Sequence, residues 1–508
     1  MVNDNGVYVK KNTLKYSFGV FLIGYIFIIY QLLLILINSD SKEATLISIV
    51  LLSILFAVST LSAYIEMNNI MLALFYICLF NFQFSYFFFG LLLGYEFWII
   101  PDYYGETVYS NFSSINEVLL IIGLSIIVIH FVLLLFHQKY QRKQLKFCTY
   151  YIIDSSLINI RKVSKVIILI TGPFAFYFLF KQIQYVMING YQAYFLATYS
   201  DMGINIITSQ LETMFRVAIA IYFATYPSRR ELRIPLCMYV IYTLMYLGTG
   251  DRTNVAVLFL MLIWYFSEYS KRYSIIRLKK KFNLKIVVTG LTLVAIFSIW
   301  NQVRYSFGTG RTVNFLDTKN SSIIEFLISQ GRSYNTILKA ISIDKESIIS
   351  FSDRFIMLFQ PLLHQLEGMS FGIINMGALH KMGGYIFTKI PSSADLLSIY
   401  TNSHIYLSGG GLGSSYLAEG VLLGGNIGII ITSSIVALII AFASYKSKGK
   451  FWAHSFVIFS FIFIMRFPRD LTFGMLAFLI PFIIRAALIY FVSYVLSSLS
   501  NNRLHTKE

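Results

Sequence analysis

The feature that most constrains this chain is a series of apolar runs, each long enough to cross a membrane as a helix. A membrane-spanning helix needs about 20 apolar residues, and only 13% of this chain is charged, roughly half the share of a soluble domain. The pattern predicts an all-α polytopic membrane protein with about 12 transmembrane helices, in a range of roughly 10 to 13 because some runs are short. The runs lie at 17–37, 45–65, 70–94, 117–137, 165–184, 204–226, 234–249, 253–268, 286–304, 416–444, 451–465 and 471–495.

The distribution of lysine and arginine predicts which side of the membrane each loop occupies. With both termini in the cytoplasm, the cytoplasmic segments hold more than half of the 41 Lys and Arg residues, as the positive-inside rule requires. This accounts for the net charge of +17, so the charge does not indicate a nucleic-acid partner. The cytoplasmic loops are also too short for a nucleotide-binding domain, which needs on the order of 100 residues.

One loop on the opposite, periplasmic side is far longer than a connection requires. It covers residues 305–415, whereas most connections have about 4–6 residues. Ser322 with Glu325 forms a capping box, and Ser352 precedes a second amphipathic run, so we expect helices that lie on the bundle or in the interface plane. The predicted organisation is a bundle of about nine spans at 1–304, a large periplasmic loop or lid at 305–415, and about three spans with a cytoplasmic tail at 416–508.

A set of arginines falls at or beyond the outer ends of the predicted spans, against the topology signal. The planar guanidinium stays charged and can donate two parallel hydrogen bonds to a pyrophosphate or a carboxylate. We therefore predict substrate or pyrophosphate binding by these residues, with an ion pair to a nearby acid such as Asp251 or Asp470 as the structural alternative. The set is Arg252, Arg304, Arg311, Arg332, Arg354, Arg466 and Arg469.

Two further arginines, Arg216 and Arg485, lie in or near span interiors. A charge in that position marks a functional site by default, unless the side chain extends to the membrane interface.

A glycosyl or acyl transfer also needs a general base. Glu419 opens the tenth run, where a carboxylate can equally stabilise the positive end of a helix. His364 lies three residues before Glu367, so the two share a helix face. The base candidates are His364, His380, His404, Glu367, Asp395 and Glu419. The sequence lacks the HExxH, GxSxG and DxD patterns, so we expect neither a metal nor a cofactor.

Residues 409–428 read Gly-Gly-Gly-Leu-Gly-Ser-Ser-Tyr-Leu-Ala-Glu-Gly-Val-Leu-Leu-Gly-Gly-Asn-Ile-Gly. This segment resembles a stretch late in O-antigen (oligosaccharide repeat-unit) polymerases of the Wzy type, as do 329–333 and the Gly-Thr-Gly-Asp-Arg turn at 248–252. The overall arrangement of about 12 spans, a large periplasmic loop and outer arginines is also similar. Leu423 stands where that family more often has an aromatic residue. The Arg-x-x-x-His-Asn pattern of the related ligases does not occur.

The resemblance implies a GT-C-like fold and a metal-independent glycosyltransferase of the bacterial inner membrane. Donor and acceptor would both be undecaprenyl-pyrophosphate-linked oligosaccharides. A hydroxyl of the acceptor attacks the anomeric carbon of the donor, and undecaprenyl pyrophosphate leaves. Arg252 and the other outer arginines would hold the pyrophosphates, and Glu419 or His364 would activate the hydroxyl. Membrane lipids and a chain-length regulator are the other implied partners.

Three other functions are also compatible with the sequence. An O-antigen ligase, or another transferase of lipid-linked glycans, would share the substrate. A flippase for lipid-linked oligosaccharide predicts two similar halves with short loops, and a secondary transporter for a small anion predicts paired broken helices with intramembrane acids. The sequence shows no half repeat and few acids within its runs, so a polymerase is favoured.

Overall fold

The computed structural model describes residues 15–94, 99–101, 107–109, 111–144, 153–190, 193–272, 328, 330–346, 350–369, 380–382, 385–387, 391–407 and 411–505. Nearly all of these residues are helical. The strands are three residues long and form two antiparallel pairs, β1 (Ile99–Pro101) with β2 (Thr107–Tyr109) and β3 (His380–Met382) with β4 (Tyr385–Phe387). The predicted all-α class is therefore confirmed.

The α-helices are numbered in chain order through the described ranges. They are α1 Lys15–Leu36, α2 Lys42–Leu61, α3 Ile70–Leu79, α4 Ser85–Leu93, α5 Phe112–Gln144, α6 Ser155–Asn189, α7 Ala193–Leu196, α8 Ile206–Ala224, α9 Arg229–Met245, α10 Thr253–Arg272, α11 Asn335–Glu346, α12 Phe351–Met369, α13 Ser393–Thr401, α14 Ser403–Leu407, α15 Tyr416–Ala441, α16 Phe451–Arg466 and α17 Leu479–His505. Three π-helical turns extend or join some of them, at Ser62–Glu66, Phe80–Phe84 and Phe442–Lys446.

Ten helical segments in the described part of the chain are long and apolar enough to cross a membrane. The polytopic membrane architecture is therefore confirmed. The predicted run at 253–268 forms α10, which is not among the ten, and the run at 286–304 lies outside the described residues. The ten segments are Lys15–Leu36, Lys42–Glu66, Ile70–Leu93, Phe112–Tyr140, Ser155–Asn189, Ile206–Ala224, Arg229–Thr249, Tyr416–Gly449, Phe451–Arg469 and Gly474–Ser498.

Helices between 330 and 407 form where the sequence predicts an amphipathic loop. The hydroxyl of Ser350 accepts from the Asp353 amide at 3.2 Å, so it caps α12. The predicted start at Ser352 was thus slightly late. Ser392 begins α13 in a capping box with Asp395, whereas the predicted box at 322–325 lies outside the described residues. The large periplasmic loop and the domain boundaries remain predictions.

Residues near the ends of α6 and α9 and near the beginnings of α8 and α17 come together, so these four termini lie at the same end of the bundle. We call this end, marked by Asn189, Ile206, Met245 and Leu479, the site end. Helix α16 has only 16 residues and rises about 24 Å, less than the roughly 30 Å of hydrocarbon that a span crosses. The 3-10 turn Phe467–Arg469 follows it directly, and residues 467–478 connect α16 to α17.

Candidate active site

Helix α15 is not one continuous helix but a tight helical hairpin. Its backbone breaks at Gly424 and Gly425, and Gly425 has φ +54°, a left-handed conformation that glycine adopts without strain. Beyond the break the chain doubles back, since Gly428 packs directly on the carbonyl oxygen of Gly420. A side chain on Gly428 would collide with that oxygen. The segment therefore consists of a short buried helix, 416–423, packed antiparallel on the longer helix 426–441.

The carboxylate of Glu419 is buried inside this hairpin, with 1% of the residue exposed. One oxygen accepts from the Thr472 amide at 2.8 Å and from the Thr472 hydroxyl. The other accepts from the Ser393 hydroxyl at 3.1 Å. Glu419 thus ties the short helix to α13 and to the segment 467–478. Capping of the short helix falls instead to Ser415, whose hydroxyl accepts from the Ala418 amide.

Three of the predicted arginines make contacts with this same region. Arg354 donates to the carbonyl oxygen of Leu422 at 3.1 Å, at the C-terminal end of the short helix, where a positive charge is favourable. Arg466 forms an ion pair with Asp470 at 3.2 Å, the structural alternative suggested by the sequence. Arg469 donates to Gln330 at 3.1 Å and lies over the ring of Phe82, with 5.6 Å to the centroid.

The turn that contains Arg332 packs against α4 with no room for a side chain at Gly331. A Cβ there would collide with the amide nitrogen of Tyr86. The buried ring of Tyr334 lies 4.5 Å from that of Phe87, which holds the turn in place and leaves Arg332 exposed. The glycine in this motif is explained by that close approach.

Arg252 lies half-buried in the turn between the helical turn 246–249 and α10. The neighbouring carboxylate of Asp251 accepts from the Thr253 amide and from the Asn254 side chain, both at 2.8 Å. Asp251 therefore forms an Asx turn immediately before α10. The turn follows α9 directly, so Arg252 lies at the site end.

A cavity of about 440 Å³ opens at the site end between α6, α8 and α17. Two arginines that the sequence places in span interiors, Arg216 and Arg485, both line it. Tyr246 and Gln182 add polar groups to its wall. Among the residues that line this cavity the charged ones are these two arginines and Glu212, so the lining has a net positive charge.

Each cavity arginine is held by neighbouring groups. Arg216 pairs with Glu212 on the preceding turn of α8 through Nε at 2.8 Å and Nη2 at 3.1 Å. The hydroxyl of Tyr242 donates to the same carboxylate. Arg485 donates to the carbonyl oxygen of Pro481 at 3.0 Å and to the side-chain oxygen of Gln210, both neutral acceptors. In the cavity, Glu212 thus neutralises the charge of Arg216, whereas the acceptors that contact Arg485 are neutral and leave its charge unbalanced.

A family model described as O-antigen polysaccharide polymerase Wzy matches residues 15–499. The chain belongs to this family. No curated protein and no solved structure matches the chain. Membership in the Wzy family supports polymerisation of O-antigen repeat units, a glycosyltransferase-type activity in a multi-pass membrane protein. The predicted family is confirmed, and polymerisation is favoured over the flippase and transporter alternatives.

In this Wzy-family chain, some of the predicted base candidates have structural contacts. Asp395 accepts from the amide and the hydroxyl of Ser392 as the N-cap partner of α13, and from the Tyr406 hydroxyl at 2.9 Å. Burial, and then the Asp395 carboxylate, raise the pKa of Tyr406 above its ordinary value. Nothing is described for the side chains of His364, His380, His404 and Glu367, and Arg304 and Arg311 lie outside the described residues.

One residue of the cavity, Glu212, was not among the sequence candidates. This residue is 2% exposed, and it lies inside an apolar run, four residues before Arg216. That spacing places an acid and an arginine on one helix face, so the pair could have been found from the sequence. Within the described residues, no group of three or more His, Cys, Asp or Glu side chains is placed to hold a metal ion.

Proposed function

We propose that the chain joins repeat units carried on undecaprenyl diphosphate, and that the Arg216–Arg485 cavity binds the diphosphate of one substrate. The observation that carries the proposal is the meeting of two guanidinium groups in a cavity within a membrane bundle. An arginine at the centre of a membrane helix costs about 2.5–3.5 kcal/mol, so two arginines in one cavity indicate an anionic ligand.

The charges in the cavity suit a lipid-linked diphosphate. A diphosphate diester carries two negative charges, and the charge on it increases when the glycosidic bond breaks. Because Glu212 already neutralises Arg216, Arg485 is the principal electrostatic partner for the anion. Arg216 supplies further N–H groups in a fixed orientation. Donors preorganised toward the charge that develops on a leaving group stabilise the transition state.

In the proposed reaction, a hydroxyl of the acceptor glycan attacks the anomeric carbon of the donor. A new glycosidic bond forms, the bond from that carbon to the diphosphate oxygen breaks, and undecaprenyl diphosphate leaves with the bonding electrons. The hydroxyl proton passes to a base, for which Glu419 and His364 remain the predicted residues. The outer arginines contribute the second diphosphate site, as the sequence predicts. They are Arg252, Arg304, Arg311, Arg332, Arg354, Arg466 and Arg469.

The site end is placed on the periplasmic side of the inner membrane in this proposal, with both termini in the cytoplasm. The positive-inside distribution of lysine and arginine supports that orientation. A chain-length regulator is the protein partner that family resemblance implies. Thiol labelling of single cysteines introduced at the two ends of the bundle would test the orientation directly.

Variants of Arg485 test the proposed diphosphate site. Each hydrogen bond to a charged group contributes about 1.5–3 kcal/mol, so Arg485→Ala should lower kcat/KM roughly a hundredfold or more through loss of two such bonds. Arg485→Lys keeps the charge without the planar fork and should lie in between. We expect deletion cells complemented with Arg485→Ala to make single repeat units in place of a long ladder.

The matched control is Arg233→Ala, which removes an exposed arginine near the opposite end of the bundle. This variant should restore the full ladder at wild-type protein level. A normal ladder from Arg485→Ala would refute the assignment of the cavity. Absence of any polymerisation by the purified wild-type chain, when supplied with lipid-linked repeat units, would refute the proposed function itself.

A further inference from the structure

A second recess lies on the other side of the segment that borders the arginine cavity. It has a volume of about 300 Å³ and is formed by α15, α16 and residues 473–476. Its exposed lining is entirely apolar, in contrast to the arginine cavity. The aromatic rings of Phe442, Phe456 and Phe473 contribute to the wall. We call this recess the apolar groove.

The apolar groove and the arginine cavity share the single helical turn Gly474–Phe478 as a partition. Met475 and Leu476 line the groove, whereas Phe478 lines the cavity. The Arg216 guanidinium carbon lies over the Phe478 ring, 6.0 Å from the ring centroid. The two recesses are therefore adjacent but separate.

The groove adjoins the region around Glu419. Phe473 lines the groove and stacks on Phe359 at 4.8 Å, and the preceding residue is Thr472, which donates to Glu419. Ile464 lines the groove, and Arg466 follows within the same helical turn. The headgroup of a lipid in the groove would thus lie near the Arg466–Asp470 ion pair and the buried Glu419.

We propose that the apolar groove binds the isoprenoid tail of the second lipid-linked substrate, separate from the lipid whose diphosphate enters the arginine cavity. This inference rests on the proposed function, which requires two such lipids at once. Lipids held on opposite faces of Gly474–Phe478 bring their headgroups to the same end of the bundle. Holding two reactants in one orientation converts a bimolecular step into an effectively unimolecular one.

The groove gains little from removing the tail from water, because the surrounding bilayer is as apolar as its lining. Binding depends instead on packing against the ring-lined wall and on the fixed position of the diphosphate. An ordinary phospholipid chain is the competing occupant, and it would fill the groove with no preference for diphosphate lipids. If the groove is specific for the isoprenoid tail, undecaprenyl diphosphate displaces a phospholipid chain from it. If the groove only holds bilayer lipid, undecaprenyl diphosphate has no such advantage.

A photoreactive undecaprenyl diphosphate, with a diazirine in its tail, tests the proposal on the purified full-length chain in phospholipid nanodiscs. We expect label on peptides that contain 435–443 and 456–464, competed by unlabelled undecaprenyl diphosphate and not by added phospholipid. Leu438→Trp should abolish this label by filling the groove. The control Ile431→Trp, on the same helix, should keep it, because Ile431 is as exposed as Leu438 (44% against 47%) but lies outside the groove.

Separate binding is tested with Arg485→Ala in the same nanodiscs. Label in the groove should persist in this variant, since its lipid is not the one bound in the cavity. Loss of groove label in Arg485→Ala would overturn the two-site inference, and so would competition by phospholipid or equal labelling of Leu438→Trp. Failure of the proposed function gives a different result, namely groove labelling without polymer from the wild-type chain.

Discussion

Replacing Glu419 by glutamine and by alanine separates two roles of this buried carboxylate. A general base must lose its catalytic function in both variants, because an amide does not accept the proton. An anchor for residues 467–478 behaves differently, because glutamine keeps an acceptor oxygen where Thr472 donates. Its NH₂ group can also donate to the Ser393 hydroxyl, which can act as an acceptor.

The contacts of Glu419 set the size of the expected effect. Alanine would leave the Thr472 amide, the Thr472 hydroxyl and the Ser393 hydroxyl without their acceptor. The hydroxyls can rotate, and Ser393 already contacts Ser414 at 2.8 Å, but the amide is fixed. An unsatisfied buried donor costs about 1–3 kcal/mol, so with the lost packing we expect Glu419→Ala to destabilise the fold by about 3 kcal/mol.

Two assays on purified protein check this reasoning, namely the thermal midpoint in detergent and the initial rate of polymerisation with lipid-linked repeat units. The anchoring role predicts a lower midpoint for Glu419→Ala, and a near wild-type midpoint and rate for Glu419→Gln. Loss of general-base catalysis lowers a rate by about 10²–10⁴-fold. A glutamine variant with an unchanged midpoint and a rate reduced to that extent would refute anchoring as the sole role of Glu419 and support Glu419 as the base.

Other expected outcomes concern the hairpin, one arginine and metal independence. Gly428→Ala should prevent the hairpin from closing and abolish polymer. Gly424→Ala, at an open position with extended backbone, should keep the hairpin and the polymer. Equal amounts of polymer from the two variants would contradict the packing of Gly428 on Gly420. Arg354→Ala should lower the thermal midpoint through loss of its bond to Leu422, worth about 1.5–3 kcal/mol, and raise KM because it also removes a guanidinium of the proposed second diphosphate site; a lower midpoint with an unchanged KM would contradict the binding role. Dialysis against EDTA should leave the polymerisation rate unchanged, and a loss restored by a divalent cation would refute the metal-independent mechanism.

Much of the fold was predictable because its driving force is encoded locally. An apolar run of about 20 residues has one solution in a bilayer, a helix that satisfies its own backbone hydrogen bonds. The limits of this reasoning appear in α15, where the run 416–444 indicated a single span. The spacing of apolar residues does not show where the chain reverses its direction. The hairpin is apparent only from the packing of Gly428 against Gly420 in the structure.

The site was predictable in kind but not in arrangement. Placing Arg466 at the outer end of a span followed from topology, and Asp470 was the partner that the sequence suggested, but only the turn geometry shows that the two groups lie 3.2 Å apart. The interior arginines were identified as functional candidates from their membrane setting alone. Glu212 could have been identified in the same way, because its spacing of four residues from Arg216 places the two on one helix face.

By itself, the sequence determined that the chain is a multi-span membrane protein of the Wzy type with arginines in unusual places. Only the tertiary structure decided which of those charges meet. Arg485 and Gln210 are 275 positions apart, and they adjoin because α17 packs on α6 and α8. Local preference acts over a few residues, whereas the position of one helix beside another depends on the packing of the whole bundle. The cavity and the groove exist only at that level.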